Sequence, residues 1–194
     1  MGPATVAVVQ SLAALGGLVY LRVQAAGLHG PVRLIKLAPA LLWCLTLGDR
    51  PLLAVGYLGY ALGDLFLLDK GRWFLAGLGA FLIGHGFVIA GLLAGGTPQA
   101  AALGLGGGLA VAMTGLLWPA LRGPLRVGVP VYAATLALLV WAATARSPIG
   151  TAGAVLFLTS DLILAWNRFR APLRHSDVAV MVTYYLAIAL IATG

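Results

Sequence analysis

Apolar residues run along this chain in blocks too long and too continuous for strands, broken at charged or Gly/Pro-rich points. The breaks predict helical spans at about 4–21, 31–48, 51–68, 73–94, 99–120, 125–144, 149–166 and 177–193. A transmembrane β-barrel would instead alternate apolar and polar positions over about ten residues per strand. The pattern therefore predicts an all-α fold, a polytopic transmembrane helical bundle of about eight spans. Within it, Gly59-x-x-x-Gly63 and Gly104-x-x-x-Gly108 predict places where helices pack closely.

Composition sharpens this reading. Charged residues make up 9% of the 194, against about 25% in a soluble domain, and the mean hydropathy is +1.02. Eight spans of about 20 residues fill the chain, so residues 1–194 are expected to form a single transmembrane domain, with chemistry inside or at the edge of the bundle. The start, MGPATVAVVQ, lacks the basic region and cleavage site of a signal peptide, so the first apolar run is expected to remain as a helix. The single cysteine, Cys44, excludes an intrachain disulfide. The net charge of +7 says nothing of nucleic acid on such a protein, and no nucleic-acid partner is expected.

Charge placement predicts orientation, because Lys and Arg near span ends stay on the cytoplasmic side. Arg22, Arg33, Lys70, Arg72, Arg122, Arg126, Arg168, Arg170 and Arg174 fall on one set of connections, against only Arg50 and Arg146 on the other. With an even span count this places both termini outside the cytoplasm. At about 1.5 Å per residue, Lys36 lies about 5 Å, Asp64 about 7 Å, and Asp161 and Tyr184 about 10 Å from the cytoplasmic ends of their spans. His85 lies about 20 Å in. The embedded polar groups thus share the cytoplasmic half. The interval between the two aspartates is half the chain length, and at that offset Tyr60 aligns with Phe157, Gly63 with Ser160, Leu65 with Leu162 and Leu67 with Leu164. This suggests two four-helix halves, about 1–97 and 98–194, with both aspartates near the axis relating them.

Asp64 and Asp161 are the first candidates for chemistry, since an acid within a span costs about 2.5 kcal/mol or more. Lys36 is the expected partner for one of them, and the pair could serve only to hold helices together. In the functional reading the two carboxyls differ in protonation, one acid and one base, as hydrolysis through an oxocarbenium-like species requires. His85 could donate a proton or only bridge helices. Asp177, Met181, Tyr184 and Ile188 share one face of the last span, with Tyr185 beside it, so Tyr184 and Tyr185 are either site residues or membrane anchors. Arg168, Arg170 and Arg174 could set topology, touch anionic lipid heads or hold a substrate phosphate. His29 and His175 lie in loops, there is no paired-histidine spacing, and no metal is expected. The serines are Ser11, Ser147, Ser160 and Ser176, with no GxSxG elbow; Ser160 points about 100° away from Asp161, so the two form no dyad.

Taken together, the residues resemble a known family. Lys36-x-x-Pro39, Gly63-Asp64-x-x-Leu67, Phe74-x-x-Gly77-x-x-x-Phe81-x-x-Gly84-His85, Gly153-Ala154-x-Leu156-Phe157-x-x-Ser160-Asp161 with Asn167-x-Phe169, and Tyr184-Tyr185 stand in the order found in the YhhN-type lysoplasmalogenases. Two positions depart from that family's usual pattern: Val88, where an aromatic commonly follows the histidine, and Ile188, where a glutamine commonly follows the tyrosine pair. The resemblance implies a multi-pass protein of the cell inner membrane that cleaves the vinyl ether bond of lysoplasmalogens to a fatty aldehyde and glycerophospho-ethanolamine or -choline. It implies catalysis by Asp64 and Asp161 with His85 or a tyrosine as relay, and substrate contacts from Lys36, Tyr184, Tyr185, Arg168 and Arg170. The expected partners are a lysophospholipid substrate and membrane lipid, with no cofactor. A transporter or lipid-binding protein, or a hydrolase acting on another lysolipid, would use the same embedded acids.

Overall fold

The computed structural model describes residues 3–27, 30–69 and 71–194, so His29 and Lys70 lie outside the described residues. Eight α-helices follow one another: α1 (Pro3–Ala25), α2 (Ala38–Thr46), α3 (Pro51–Phe66), α4 (Phe74–Leu93), α5 (Ala100–Leu117), α6 (Leu125–Ala143), α7 (Pro148–Phe169) and α8 (Ser176–Thr193). Among the described residues there is no strand. Six helices, α1 and α4 to α8, are long and apolar enough to cross a membrane, and a chain with six such helices is a multi-pass membrane protein. The seventh apolar helix, α3, has 16 residues, about 24 Å of rise against a hydrocarbon core of about 30 Å.

The second predicted span is not α-helical throughout. Residues Pro31–Leu37 form a 3-10 helix that passes into α2. Pro39 explains the change, because it has no N–H to close the α-helical bond back to the carbonyl of Ile35. That carbonyl instead accepts from Ala38 N–H, one residue earlier, as a 3-10 turn does. A second, shorter 3-10 turn, Trp118–Ala120, ends the α5 span.

The described chain divides into two compact units, Met1–Gly91 and Leu92–Gly194. In the first, α1 packs on the 3-10 segment and α2, and α2 packs on α3. The α3–α4 seam is a glycine seam: a Cβ on Gly59 would lie 2.8 Å from Gly84 Cα, and one on Gly84 would lie 2.8 Å from the carbonyl oxygen of Gly56. Val88 is fully buried against the same stretch. Tyr57, Tyr60 and Asp64 follow i, i+3, i+7 on the buried side of α3, while Leu58, Leu62 and Leu65 are exposed on the other.

In the second unit α5 packs on α6, α6 on α7 and α7 on α8. The expected Gly104–Gly108 contact is absent: added Cβ atoms at both would meet nothing within 4 Å. Gly106, on another side of α5, makes the approach instead, against Ala137. The rotation has a plain cause, since α5 is apolar on every side and packing alone chooses its inner face. Met113, Leu117, Leu121, Val129, Ala133 and Ala165 form one core cluster of this unit. The α7–α8 seam is tied by the buried Ser160 hydroxyl, which donates to the Val180 carbonyl at 3.0 Å. Ser160 is thereby engaged away from its neighbour Asp161.

Candidate functional site

The polar centre of the first unit grows out of the 3-10 segment. Three residues per turn bring Arg33 and Lys36 into line on one side, and both reach the C-terminal end of α3. Lys36 Nζ meets Asp64 Oδ1 at 3.0 Å, with both side chains buried, and the Arg33 guanidinium donates to the Leu68 carbonyl. Asp64 stands in the last turn of α3, where the negative end of the helix dipole disfavours an anion. Two cations at that end offset the dipole and the buried carboxylate together. The expected Lys36–Asp64 pair is thus present, and it depends on the irregular backbone just before α2.

One turn before Asp64, the fully buried Tyr60 shares a hydrogen bond of 2.8 Å with Nδ1 of His85 on α4. The rings meet edge-on with centroids 5.1 Å apart, and Phe81 and Tyr57 close around Tyr60 at 5.7 Å and 5.4 Å. A buried imidazole with one nitrogen engaged by a phenol has a fixed ring orientation. Tyr60 carries this arrangement, a role its place in an apolar run does not announce. Its spacing puts it one turn from Asp64 on the same face, but nothing in the sequence turns its hydroxyl toward His85.

The second unit places Asp161 on α7, half-buried, with Tyr132 of α6 donating its hydroxyl to Oδ2 at 2.6 Å. Tyr132 is the other residue that the sequence did not announce; nothing in LRVGVPVYAATLALL separates it from an interfacial tyrosine. On α8, Met181, Tyr184 and Ile188 are buried on one face as their spacing predicts. Tyr184 meets Phe157 edge-on at 5.4 Å and Tyr185 at 5.4 Å. Arg168 and Arg170 are exposed at the end of α7, with the Arg170 guanidinium 5.7 Å from the Trp166 ring centre. Among the described residues no cluster of three or more His, Cys, Asp or Glu could hold a metal ion.

Each unit therefore carries a carboxyl within an apolar helix, Asp64 or Asp161, that meets a polar side chain from an earlier segment. Asp64 has a cation as partner and Asp161 a neutral phenol. Such groups can exchange protons with a bound molecule and stabilise positive charge in it.

The chain is similar to several known proteins. The chain is 34% identical over 155 residues to lysoplasmalogenase TMEM86A of Homo sapiens, covering 71% of this chain and 62% of that protein. It is 34% identical over 176 residues to lysoplasmalogenase TMEM86A of Bos taurus, covering 82% and 71%. With lysoplasmalogenase TMEM86B of Sus scrofa it shares 43% over 77 residues, 40% of this chain and 34% of that protein. It thus spans less than two thirds of the human TMEM86A and pig TMEM86B chains. No solved structure matches it. Residues 31–194, which include every candidate residue named above, match the YhhN family, and the chain belongs to that family.

Proposed function

We propose that this protein hydrolyses the vinyl ether bond of lysoplasmalogens, releasing a fatty aldehyde and glycerophospho-ethanolamine or -choline. The observation that carries the reading is the pair of differently partnered carboxyls, Asp64 with Lys36 and Asp161 with Tyr132, on helices otherwise built of hydrocarbon. The names of the relatives point to the same substrate class.

The chemistry asks for little more. A proton is delivered to the alkene carbon remote from oxygen, and the electron pair of the double bond forms the new C–H bond. The resulting oxocarbenium ion is captured by water, and the hemiacetal collapses to aldehyde and alcohol. A donor, a negative charge to stabilise the cation and restricted water suffice. In this reading Asp64 and Asp161 supply donor and stabilising base, and His85 relays a proton through Tyr60. Lys36 sets the charge state around Asp64, Tyr184 and Tyr185 line the path of the alkenyl chain, and Arg168 and Arg170 hold the phosphate. No cofactor enters the scheme.

The test is purified protein in detergent, offered lysoplasmalogen and the corresponding ester lysolipid in oxygen-18 water, with aldehyde trapped before it exchanges. Vinyl protonation and hydration place the heavy oxygen in the aldehyde, whereas attack at glycerol places it in the alcohol. Heavy oxygen in the glycerol product, or fatty acid from the ester with no aldehyde from the ether, defeats the reading.

The same proposal includes a setting. The chain forms one transmembrane domain of eight spans, arranged as two four-helix halves at about 1–97 and 98–194, in the cell membrane. Both termini face away from the cytoplasm and the site opens toward the cytoplasmic half, as the bias of Lys and Arg requires. A reporter active only in the cytoplasm, fused after Gly194, should give no signal; clear activity reverses the orientation.

A further inference from the structure

Asp161 is gripped from one side by a group that its own helix does not supply. Tyr132 is only 6% exposed, and Val129, Ala133 and Leu136 around it on α6 are buried as well, so packing fixes the ring. Its hydroxyl donates to Oδ2 at 2.6 Å, within the range of about 2.5–2.7 Å typical of an O–H bonded to a carboxylate. Ser160, the polar neighbour of Asp161 on α7, gives its proton to the Val180 carbonyl and does not compete.

A carboxyl group turns easily about its last torsion, which is broad and roughly two-fold. A rigid donor on one oxygen removes that freedom. Resting on the vinyl ether reading, we infer that Tyr132 is a positioning residue: its hydroxyl fixes the plane of the Asp161 carboxyl that acts on the reacting lipid. An acid or base that must act on one atom of a flexible alkenyl chain depends on such orientation. The choice of a phenol also fits the reaction. A lysine in its place would orient the carboxyl equally well but would set a positive charge beside a cation that forms during turnover, whereas tyrosine orients without opposing it.

The test is a double-mutant cycle on the full chain with lysoplasmalogen as substrate and aldehyde as readout. Tyr132→Phe keeps the ring and removes the donor; kcat should fall about 10-fold while KM changes less than about twofold. In an Asp161→Glu background, whose longer carboxyl is already out of register, the same replacement should cost less than about twofold, because the proposed role of Tyr132 runs through Asp161. Equal losses in both backgrounds, or an unchanged kcat in the wild-type background, overturn the inference. If Tyr132→Phe is not recovered as a monodisperse protein in detergent, 3-fluorotyrosine at position 132 decides instead. That residue keeps shape and hydroxyl but alters donor strength, so kcat should move by at least about twofold, and an unmoved kcat overturns the inference. Wild-type protein that releases no aldehyde defeats the vinyl ether reading and this inference with it; normal wild-type release with an unaffected Tyr132→Phe defeats the inference alone.

Discussion

Asp161→Asn should leave a folded, membrane-inserted protein whose turnover of lysoplasmalogen is lower by about 100-fold or more, the loss expected when acid–base chemistry is removed. Asparagine keeps the size of aspartate and still offers Tyr132 an oxygen to donate to, so packing and the hydrogen bond at 2.6 Å can survive. Asp64 needs a different design. Asp64→Asn alone strands the buried ammonium of Lys36, and a fall in activity would then mix lost chemistry with lost structure. The clean comparison is Lys36→Met with Asp64→Asn, which removes both charges, and it should show a similar loss of turnover. Near-normal turnover at saturating substrate in either protein would make that aspartate structural and take the catalytic reading with it.

Lys36→Met by itself carries the largest expected effect on stability. The Lys36 and Asp64 side chains are only 6% and 1% exposed, so removing the cation leaves a buried carboxylate at the unfavourable end of the α3 dipole. Breaking one side of a buried pair costs about 3–5 kcal/mol, while replacing both partners with apolar groups of similar volume is often nearly neutral. Thermal unfolding in detergent should therefore rank the proteins in a definite order: wild type first, the Lys36→Met/Asp64→Asn double variant, which buries an amide but no lone charge, next, and each single variant below it. A double variant no more stable than the singles would show that the pair is not the unit of stability. Dissociation of stability from activity in the double variant is what separates a catalytic Asp64 from a structural one.

Much of the fold is legible in the sequence because membrane helices are bounded by chemistry that a sequence states outright. Pro51, Pro148 and the charged clusters at Arg72 and Arg168 mark ends that the helices follow within a few residues. The pairing of Lys36 with Asp64 is legible too, since two opposite charges at similar depth in hydrocarbon have few other solutions. What the sequence hides is rotation. In a soluble helix the polar face shows which side is out, but α5 is apolar all round, so Gly104, Gly106 and Gly108 are equivalent until packing selects Gly106. The same blindness covers Tyr60 and Tyr132. Each is an ordinary aromatic in an apolar run, and only the neighbouring helix turns its hydroxyl toward His85 or Asp161. The 3-10 turn before α2 is hidden for another reason: Pro39 announces an interruption but not whether the backbone kinks, ends or tightens.

The glycine seam between α3 and α4 also has a mechanical side. Side chains between helices act as bearings, because rotamer changes let one helix slide or roll past another. At Gly59 and Gly84 the two backbones approach directly, with the Val88 side chain and the Tyr60 ring packed beside the contact. Such close backbone contact leaves the two helices little room to shift past one another over that stretch. Tyr60 and Asp64 on α3 and His85 on α4 are thereby held at a set spacing, which the Tyr60–His85 hydrogen bond at 2.8 Å reports.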